Sequence, residues 1–151
     1  MHRLTALRAA MALLLCGIAV PTAITAQSTW RQVAAKLLAA DMYMSEKYGN
    51  DVRHSFDPFI GSLENNTYKD VTYTFQRDMR YLLLGVADDN CGSLDLRVYD
   101  NRGQLVPSDS TSDRGMVIVT FTPRRTGTFN VRVTMSCQDP GGCEFGIAEY
   151  H

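Results

Sequence analysis

A short acidic segment offers the side chains best suited to bind a metal ion. It contains Asp88, Asp89 and Asn90, and Asp95 follows inside an alternating segment. Calcium is bound by about six to eight oxygen atoms of carboxylates, amides and carbonyls, so these residues form a candidate calcium site. Asp and Asn also stabilise turns, however, and a polar, solvated turn is the alternative. A second acidic loop, Asp109 to Asp113, has no stronger claim, and we expect no other cofactor.

The cysteines predict a disulfide bond and an oxidising compartment. Three of the four, Cys91, Cys137 and Cys143, follow the apolar N-terminal segment. The segment Gln-Asp-Pro-Gly-Gly between Cys137 and Cys143 can reverse the chain, so we favour a disulfide between these two residues. Loop entropy gives that bridge roughly 2 kcal/mol, whereas a Cys91–Cys137 bridge, which is the alternative, would contribute roughly 4 kcal/mol. Three thiols without a nearby histidine do not favour a zinc site.

Signals of catalysis are weak in this chain. It has no GxSxG nucleophile elbow and no HExxH motif, and after the N-terminal segment its histidines are His54 and His151. Nucleophilic catalysis needs a serine or cysteine beside a general base that is itself oriented by a third group. We therefore predict that the protein is not an enzyme. A hydrolase would require a pocket that combines His54 with an acid.

The second half of the chain has the pattern of an antiparallel β-sandwich. Apolar and polar residues alternate from Leu94 to Tyr99 and from Phe129 to Met135, as in strands with one buried face. The polar residues 100–103 predict a hairpin turn, and 123–127 predict a second one. The apolar segment Tyr81 to Val86 predicts a central strand. We expect an all-β antiparallel sandwich of about seven or eight strands.

These strands and turns also resemble a known family. The segments LDLRVYDNRGQLV and VTFTPRRTGTFNVRV are similar to the bacterial pre-peptidase C-terminal domain family, over about residues 68 to 150. The matching positions are Asp95, Leu96, Tyr99, Asp100, Gly103, Phe121, Pro123, Gly127, Phe129 and Val131. The resemblance implies a secreted, jelly-roll-like sandwich without catalytic activity, with a role in secretion, adhesion or stabilisation. Ser93 stands where the family commonly has an acid, which weakens the candidate cation site.

The first 26 residues have the features of a secretory signal peptide. They combine a basic start, an apolar segment and the small-residue exit PTAITA. We expect cleavage after Ala26 and no transmembrane span in the remaining chain, with a retained N-terminal anchor as the alternative. The rest divides into a helix at 27–50, a linker at 51–67 and a sandwich domain at 68–151. This organisation predicts a secreted or periplasmic protein, and the resemblance implies a bacterial one.

The segment after the leader predicts one amphipathic helix. Thr29 and Gln32 have the spacing of a capping box, and Gly49 is suited to end the helix in the left-handed conformation. Apolar residues follow helical spacing on one side. This side either packs on the sandwich with Trp30 as its anchor or docks on a partner.

The charge balance argues against a nucleic-acid partner. The chain has 15 Lys and Arg against 16 Asp and Glu, and the leader holds Arg3 and Arg8 but no acid. Cleavage would therefore leave 13 basic and 16 acidic residues, a net charge of −3. Nucleic-acid binding requires clustered positive charge, which this composition does not supply.

The sequence thus predicts a non-catalytic binding or stabilising module. We expect an exposed aromatic or polar patch, with Tyr68, Tyr99 or Tyr150 as candidates, that binds an envelope glycan, a peptide or another secreted protein. The alternative function is a helper or inhibitor subunit. Such a subunit would dock on a separately encoded secreted enzyme through the N-terminal helix, with Trp30 or Cys91 at the contact.

Overall fold

The structure, a computed structural model, describes residues 23–49, 58–113 and 115–151. Most of the predicted signal peptide and His54 lie outside these ranges. The described elements are α1 (Ala23–Tyr48), β1 (Phe59–Leu63), β2 (Thr67–Phe75), β3 (Tyr81–Ala87), β4 (Cys91–Asp100), β5 (Asp109–Asp113), β6 (Met116–Phe121), β7 (Gly127–Cys137) and β8 (Cys143–Tyr150).

The strands form two antiparallel sheets that face each other. The five-stranded sheet has the order β1-β8-β3-β6-β5, and the three-stranded sheet has the order β2-β7-β4. Strands far apart in sequence pair with one another: β1 with β8, β2 with β7, and β3 with β6. This pairing rolls the chain into a jelly-roll-like sandwich, so the predicted fold class is confirmed.

Several local predictions of strands and turns were wrong. β6 and β7, predicted to form a hairpin across residues 123–127, belong to opposite sheets. The acidic segment Asp109–Asp113, predicted as a loop, is the edge strand β5, and the predicted linker contributes the strand β1. Alternation with a period of two identifies a strand and its buried face, but it carries no information about the partner strand.

The turn after β4 is a short hairpin, as predicted. The Asp100 carboxylate accepts hydrogen bonds of 2.9 Å from the backbone N–H groups of Arg102 and Gln104. Gly103 adopts a φ of 74°, which favours glycine. Beyond the turn, the returning chain makes only an isolated bridge, between Tyr99 and Leu105.

The main core lies between the two sheets. Its aromatic centre is Phe75, whose ring centroid lies 4.6 Å from Tyr81, 4.9 Å from Phe121 and 5.5 Å from Phe129. These are tilted and edge-to-face contacts, the geometries that aromatic pairs prefer. The cluster ties β2 and β7 of one sheet to β3 and β6 of the other.

The helix packs on the outer face of the five-stranded sheet. The buried residues of this second core are Val33, Leu37, Ala40, Met44, Leu82, Leu84, Val86, Ala148 and Tyr150. β3 is therefore buried on both faces, which explains its uninterrupted apolar sequence. A Cβ atom on Gly146 would lie 2.6 Å from Leu37 Cδ1, so glycine permits the close approach of helix and sheet.

The details of the helix differ in part from the prediction. It ends at Tyr48 with Gly49 at a φ of 64°, as expected for a left-handed cap. Its described start is Ala23, so Thr29 lies inside the helix and does not cap it. Trp30, predicted as the anchor, is 52% exposed because the buried stripe is centred on Val33, Leu37 and Met44.

Candidate binding surface

The outer face of the three-stranded sheet carries charged and aromatic side chains from neighbouring strands. β7 lies in its centre, and its residues alternate, with Val131 and Val133 fully buried and Arg132 between them directed outward. β2 and β4 flank it in antiparallel register. Asp70 of β2 and Arg97 of β4 both lie opposite Arg132.

An ion pair connects the first two strands. Arg132 Nε donates to Asp70 Oδ1 and Arg132 Nη2 donates to Asp70 Oδ2, both at 2.8 Å. This bidentate geometry fixes the plane of the guanidinium group. The hydrogen bonds from Arg132 lower the pKa of the Asp70 carboxyl, and they raise the pKa of Arg132 itself. Both groups are therefore charged at neutral pH.

Two tyrosines lie on either side of this arginine. The Arg132 Cζ atom is 4.0 Å from the ring centroid of Tyr68 and 5.0 Å from that of Tyr99. Both distances are within the range of cation–π contacts. Tyr68 comes from β2 and Tyr99 from β4, so the arginine of the central strand bridges two rings from the outer strands. Tyr68 is 59% exposed.

A second ion pair, between Arg97 and Asp95, compensates the charge of Arg97. Arg97 Nε donates to Asp95 Oδ2 at 2.8 Å, and this hydrogen bond raises the pKa of Arg97. Arg97 and Arg132 are directly opposite each other, and like charges in such positions repel unless acids compensate them. We call the residues Tyr68, Asp70, Asp95, Arg97, Tyr99 and Arg132 the tyrosine–arginine face. Its side chains sum to zero net charge.

Neutral hydrogen-bonding groups border this face. Thr72 Oγ1 donates to Asn130 Oδ1 at 3.1 Å, and Asn130 is the register partner of both Thr72 and Tyr99. Thr134 is exposed and lies opposite Tyr68. The surface thus combines aromatic rings with donors and acceptors that carry no net charge. Such a surface suits a ligand with apolar ring faces and many hydroxyl groups.

The central residues of this surface are Tyr68, Tyr99 and Arg132, and the sequence analysis identified the two tyrosines. Tyr68 and Tyr99 were candidates for a binding patch, and the structure brings them to the same arginine. Asp70 and Arg132 were missed. Both lie at outward positions of alternating segments, but no local signal shows that β2 and β7 are neighbours. Tyr150, the third candidate, is only 1% exposed and packs against α1, so its prediction as a surface residue was wrong.

Asp88, the first of the predicted calcium ligands, accepts hydrogen bonds from backbone N–H groups. Asp88 is 3% exposed, and its two carboxylate oxygens accept hydrogen bonds from the N–H groups of Asn90 and Glu144, at 3.1 Å and 3.0 Å. The side chain of Asn90 in turn bonds Gly142 O and Asp139 N. These bonds tie the turn after β3 to the β7–β8 connection.

The other two acids point elsewhere. Asp89 Oδ1 accepts a hydrogen bond of 2.8 Å from Lys36 of α1, and Asp95 pairs with Arg97 on the tyrosine–arginine face. Among the described residues, no group of three or more His, Cys, Asp or Glu side chains is arranged to hold a metal ion. Calcium binding by these residues stays a prediction.

The disulfide between Cys137 and Cys143, which the sequence analysis favoured over a Cys91–Cys137 bond, is present. Cys137 and Cys143 form a disulfide with their Cα atoms 5.7 Å apart, and Cys91 is a free, half-buried thiol. The disulfide connects the last residue of β7 to the first residue of β8, so it joins the two sheets. A bond of this kind fits an extracellular location.

One cleft of the described surface contains a histidine and an acid. It has a volume of about 680 Å³ and lies between β1, β2 and the C-terminus. His151 Nδ1 is 4.0 Å from Glu149 Oε1, and burial together with the charge of Glu149 raises the pKa of the Tyr73 hydroxyl. The residues that line this cleft include neither serine nor cysteine. The hydroxyl side chains that line it belong to Thr72, Tyr73, Thr74 and Tyr81.

Comparison with known proteins adds no identification. No family model matches the chain, and no curated protein matches it significantly. Membership of the pre-peptidase C-terminal family stays a prediction from the motifs. The part of the chain that the structure describes contains no helix with the length and apolar character needed to traverse a bilayer.

Proposed function

We propose that this protein is a non-catalytic, secreted or periplasmic binding module, and that its tyrosine–arginine face binds a neutral glycan of the cell envelope. The observation that carries the proposal is the position of Arg132 between the rings of Tyr68 and Tyr99. A sugar ring has apolar faces that stack on aromatic rings and hydroxyl groups that pair with polar neighbours. The disulfide and the signal-peptide pattern support the proposed location.

Preorganisation favours binding at this face. The bidentate bond to Asp70 holds the Arg132 guanidinium, and that guanidinium holds the two rings by cation–π contact. A ligand would meet side chains that are already fixed, so little conformational entropy is lost on binding. Because the charges are paired within the face, neither a strongly acidic nor a strongly basic polymer would be preferred.

The test is binding of the purified protein to a panel of neutral polysaccharides, measured by affinity electrophoresis and calorimetry. Tyr68→Ala should weaken binding at least about tenfold, equivalent to about 1.4 kcal/mol, because exposed aromatic anchors dominate such contacts. The control is Tyr43→Ala, which removes another exposed tyrosine, on α1. Failure of every glycan to bind, or equal affinity of both variants, would reject the proposal. A preference for unstructured peptides would reject the glycan ligand.

A second candidate function is that of a helper or inhibitor subunit for a secreted enzyme. It is favoured by the outward side of α1, where Leu38 is 64% and Met42 is 68% exposed, one helical turn apart. Apolar residues at this spacing fit a groove on another folded protein. The variant Leu38→Ser with Met42→Ser should then abolish co-purification of a hydrolytic activity. Binding through the tyrosine–arginine face should be unaffected.

A further inference from the structure

Three cysteines meet at one end of the sandwich. Cys91 is the first residue of β4, Cys137 is the last residue of β7, and Cys143 is the first residue of β8. All three belong to, or pack against, the same hydrophobic core. Two form the disulfide, and the third retains its thiol.

The register of β4 and β7 places the free thiol beside the disulfide. Cys91 and Cys137 are direct partners across the two strands. The backbone N–H of Gln138 donates to Asn90 O at 2.8 Å, so the flanking residues carry the hydrogen bond and the two cysteines form a non-hydrogen-bonded pair. In regular pairs of this kind the Cα atoms are about 4.5 Å apart and the side chains lie on the same face. A register shift follows directly, between Cys91 and Ser93. A Cα separation of about 4.5 Å is within the range that a disulfide spans.

We propose that this end of the sandwich is a thiol–disulfide exchange site in which Cys137 alternates between two partners. The Cys91 thiolate attacks the Cys137 sulfur, the Cys91–Cys137 bond forms, and the Cys137–Cys143 bond breaks. Cys143 leaves as the thiolate and takes up the proton that Cys91 gave to solvent. Atoms and electrons balance within the chain, so no oxidant or reductant is consumed.

The exchange would change which parts of the fold are cross-linked. The Cys137–Cys143 bond joins β7 to β8 and therefore joins the two sheets. A Cys91–Cys137 bond would join two strands of the same sheet and would close a much longer loop. The free thiol would at the same time move from half-buried Cys91 to Cys143, which is buried.

The surroundings are suited to keeping the β7–β8 connection in place while the bond changes. Asn90 Nδ2 donates to Gly142 O at 2.7 Å, and Asp139 N donates to Asn90 Oδ1 at 3.0 Å. These bonds hold the connection independently of the disulfide. The exchanged form should therefore keep the fold of both sheets.

The reactivity of the Cys91 thiol at neutral pH is limited by its raised pKa. Burial raises the pKa of Cys91 and the charge of Asp88 raises it further, whereas a backbone hydrogen bond with Ser93 and the charge of Lys36 lower it. Because only the thiolate attacks, the exchange rate should rise about tenfold for each pH unit below that pKa.

Tryptic mapping tests the exchange directly. The experiment uses the full chain with Cys16→Ser, incubated without reductant at pH 7 and pH 8, quenched with acid and alkylated. Cleavage after Arg80, Arg97 and Arg132 places Cys91 in one peptide and both Cys137 and Cys143 in another. Exchange therefore appears as a new cross-link between the two peptides with alkylated Cys143. We expect this product to form about tenfold faster at pH 8 than at pH 7.

Two variants make the outcome decisive. Cys91→Ser should give no peptide cross-link at either pH. Cys143→Ser, refolded in a glutathione redox buffer, should form the Cys91–Cys137 bond and keep the native circular dichroism spectrum. The proposal is overturned if Cys91 stays the alkylated residue in the parent chain at both pH values. It is also overturned if folded Cys143→Ser leaves Cys91 and Cys137 unbonded.

Discussion

Asp70 accepts two hydrogen bonds of 2.8 Å from Arg132, one on each carboxylate oxygen, although 62 residues separate the two in sequence. This pair determines the direction of the guanidinium plane. Because the Arg132 Cζ atom lies 4.0 Å from the ring centroid of Tyr68 and 5.0 Å from that of Tyr99, the ion pair positions the cation that both rings contact. The proposed binding surface thus depends on the register between β2 and β7.

We predict that Asp70→Asn weakens the fold only where the carboxylate is charged. The pKa of Asp70 is lowered from its ordinary value of 3.8, so its contribution is present above that value and is lost as pH falls through the lower folded pKa. For this partly exposed pair we expect at most about 1 kcal/mol at pH 7.

Urea unfolding of wild type and Asp70→Asn at pH 7 and pH 2 measures this effect. Asp78→Asn is the control, because Asp78 forms an exposed ion pair with its neighbour Arg77. An Asp70→Asn penalty of the same size at both pH values would contradict the assigned role of the charge.

We predict that Asp88→Asn destabilises the protein by about 1–3 kcal/mol. An amide has only one acceptor oxygen, so it cannot replace the carboxylate that accepts from both Asn90 N and Glu144 N in a buried position. Asp89→Asn, which breaks an exposed ion pair with Lys36, should cost less than about 1 kcal/mol.

Thermal unfolding with and without calcium separates the two roles considered for Asp88. A structural role gives the same loss in both conditions. A calcium-dependent rise in the wild-type midpoint that Asp88→Asn abolishes would instead establish the cation site, since a ligand that binds only the folded state stabilises it.

Gly146→Ala should destabilise the contact between helix and sheet. The added Cβ would lie 2.6 Å from Leu37 Cδ1 and 2.9 Å from Val33 Cγ1, and overpacking of this kind typically costs about 1–3 kcal/mol. Gly141→Ala is the matched control, because nothing lies within 4 Å of its added Cβ. Chemical unfolding of the two variants should differ, and equal midpoints would argue against close packing of α1 on β8.

Truncation of one buried and one exposed residue tests which side of α1 faces the sheet. Met44 is buried against the sheet, and Met44→Ala should cost about 2–5 kcal/mol. Trp30 is half exposed, and Trp30→Ala should change the free energy of unfolding by less than about 0.5 kcal/mol. If Trp30→Ala proved the more destabilising in urea, the helix would instead be anchored as the sequence pattern predicted.

The sequence predicted those strands, turns and bonds that depend on residues close together in the chain. The alternation at 94–99 and 129–135 predicted strands with the correct buried faces, and the apolar segment Tyr81 to Val86 predicted a central strand. The Asp100 turn and the Cys137–Cys143 bond are equally local, because a few residues bring the partners together. Secretion and family membership stay predictions.

Tertiary structure alone decided which distant residues meet. The amphipathic pattern of α1 did not show that Trp30 falls outside the buried stripe, and the turn signal at 123–127 did not show that the chain changes sheets there. Likewise, only the pairing of β2 with β7 brings Asp70 and Arg132 together. Only the pairing of β4 with β7 places Cys91 beside Cys137. Side-chain alternation specifies one face of a strand, whereas register is determined by how the whole core packs.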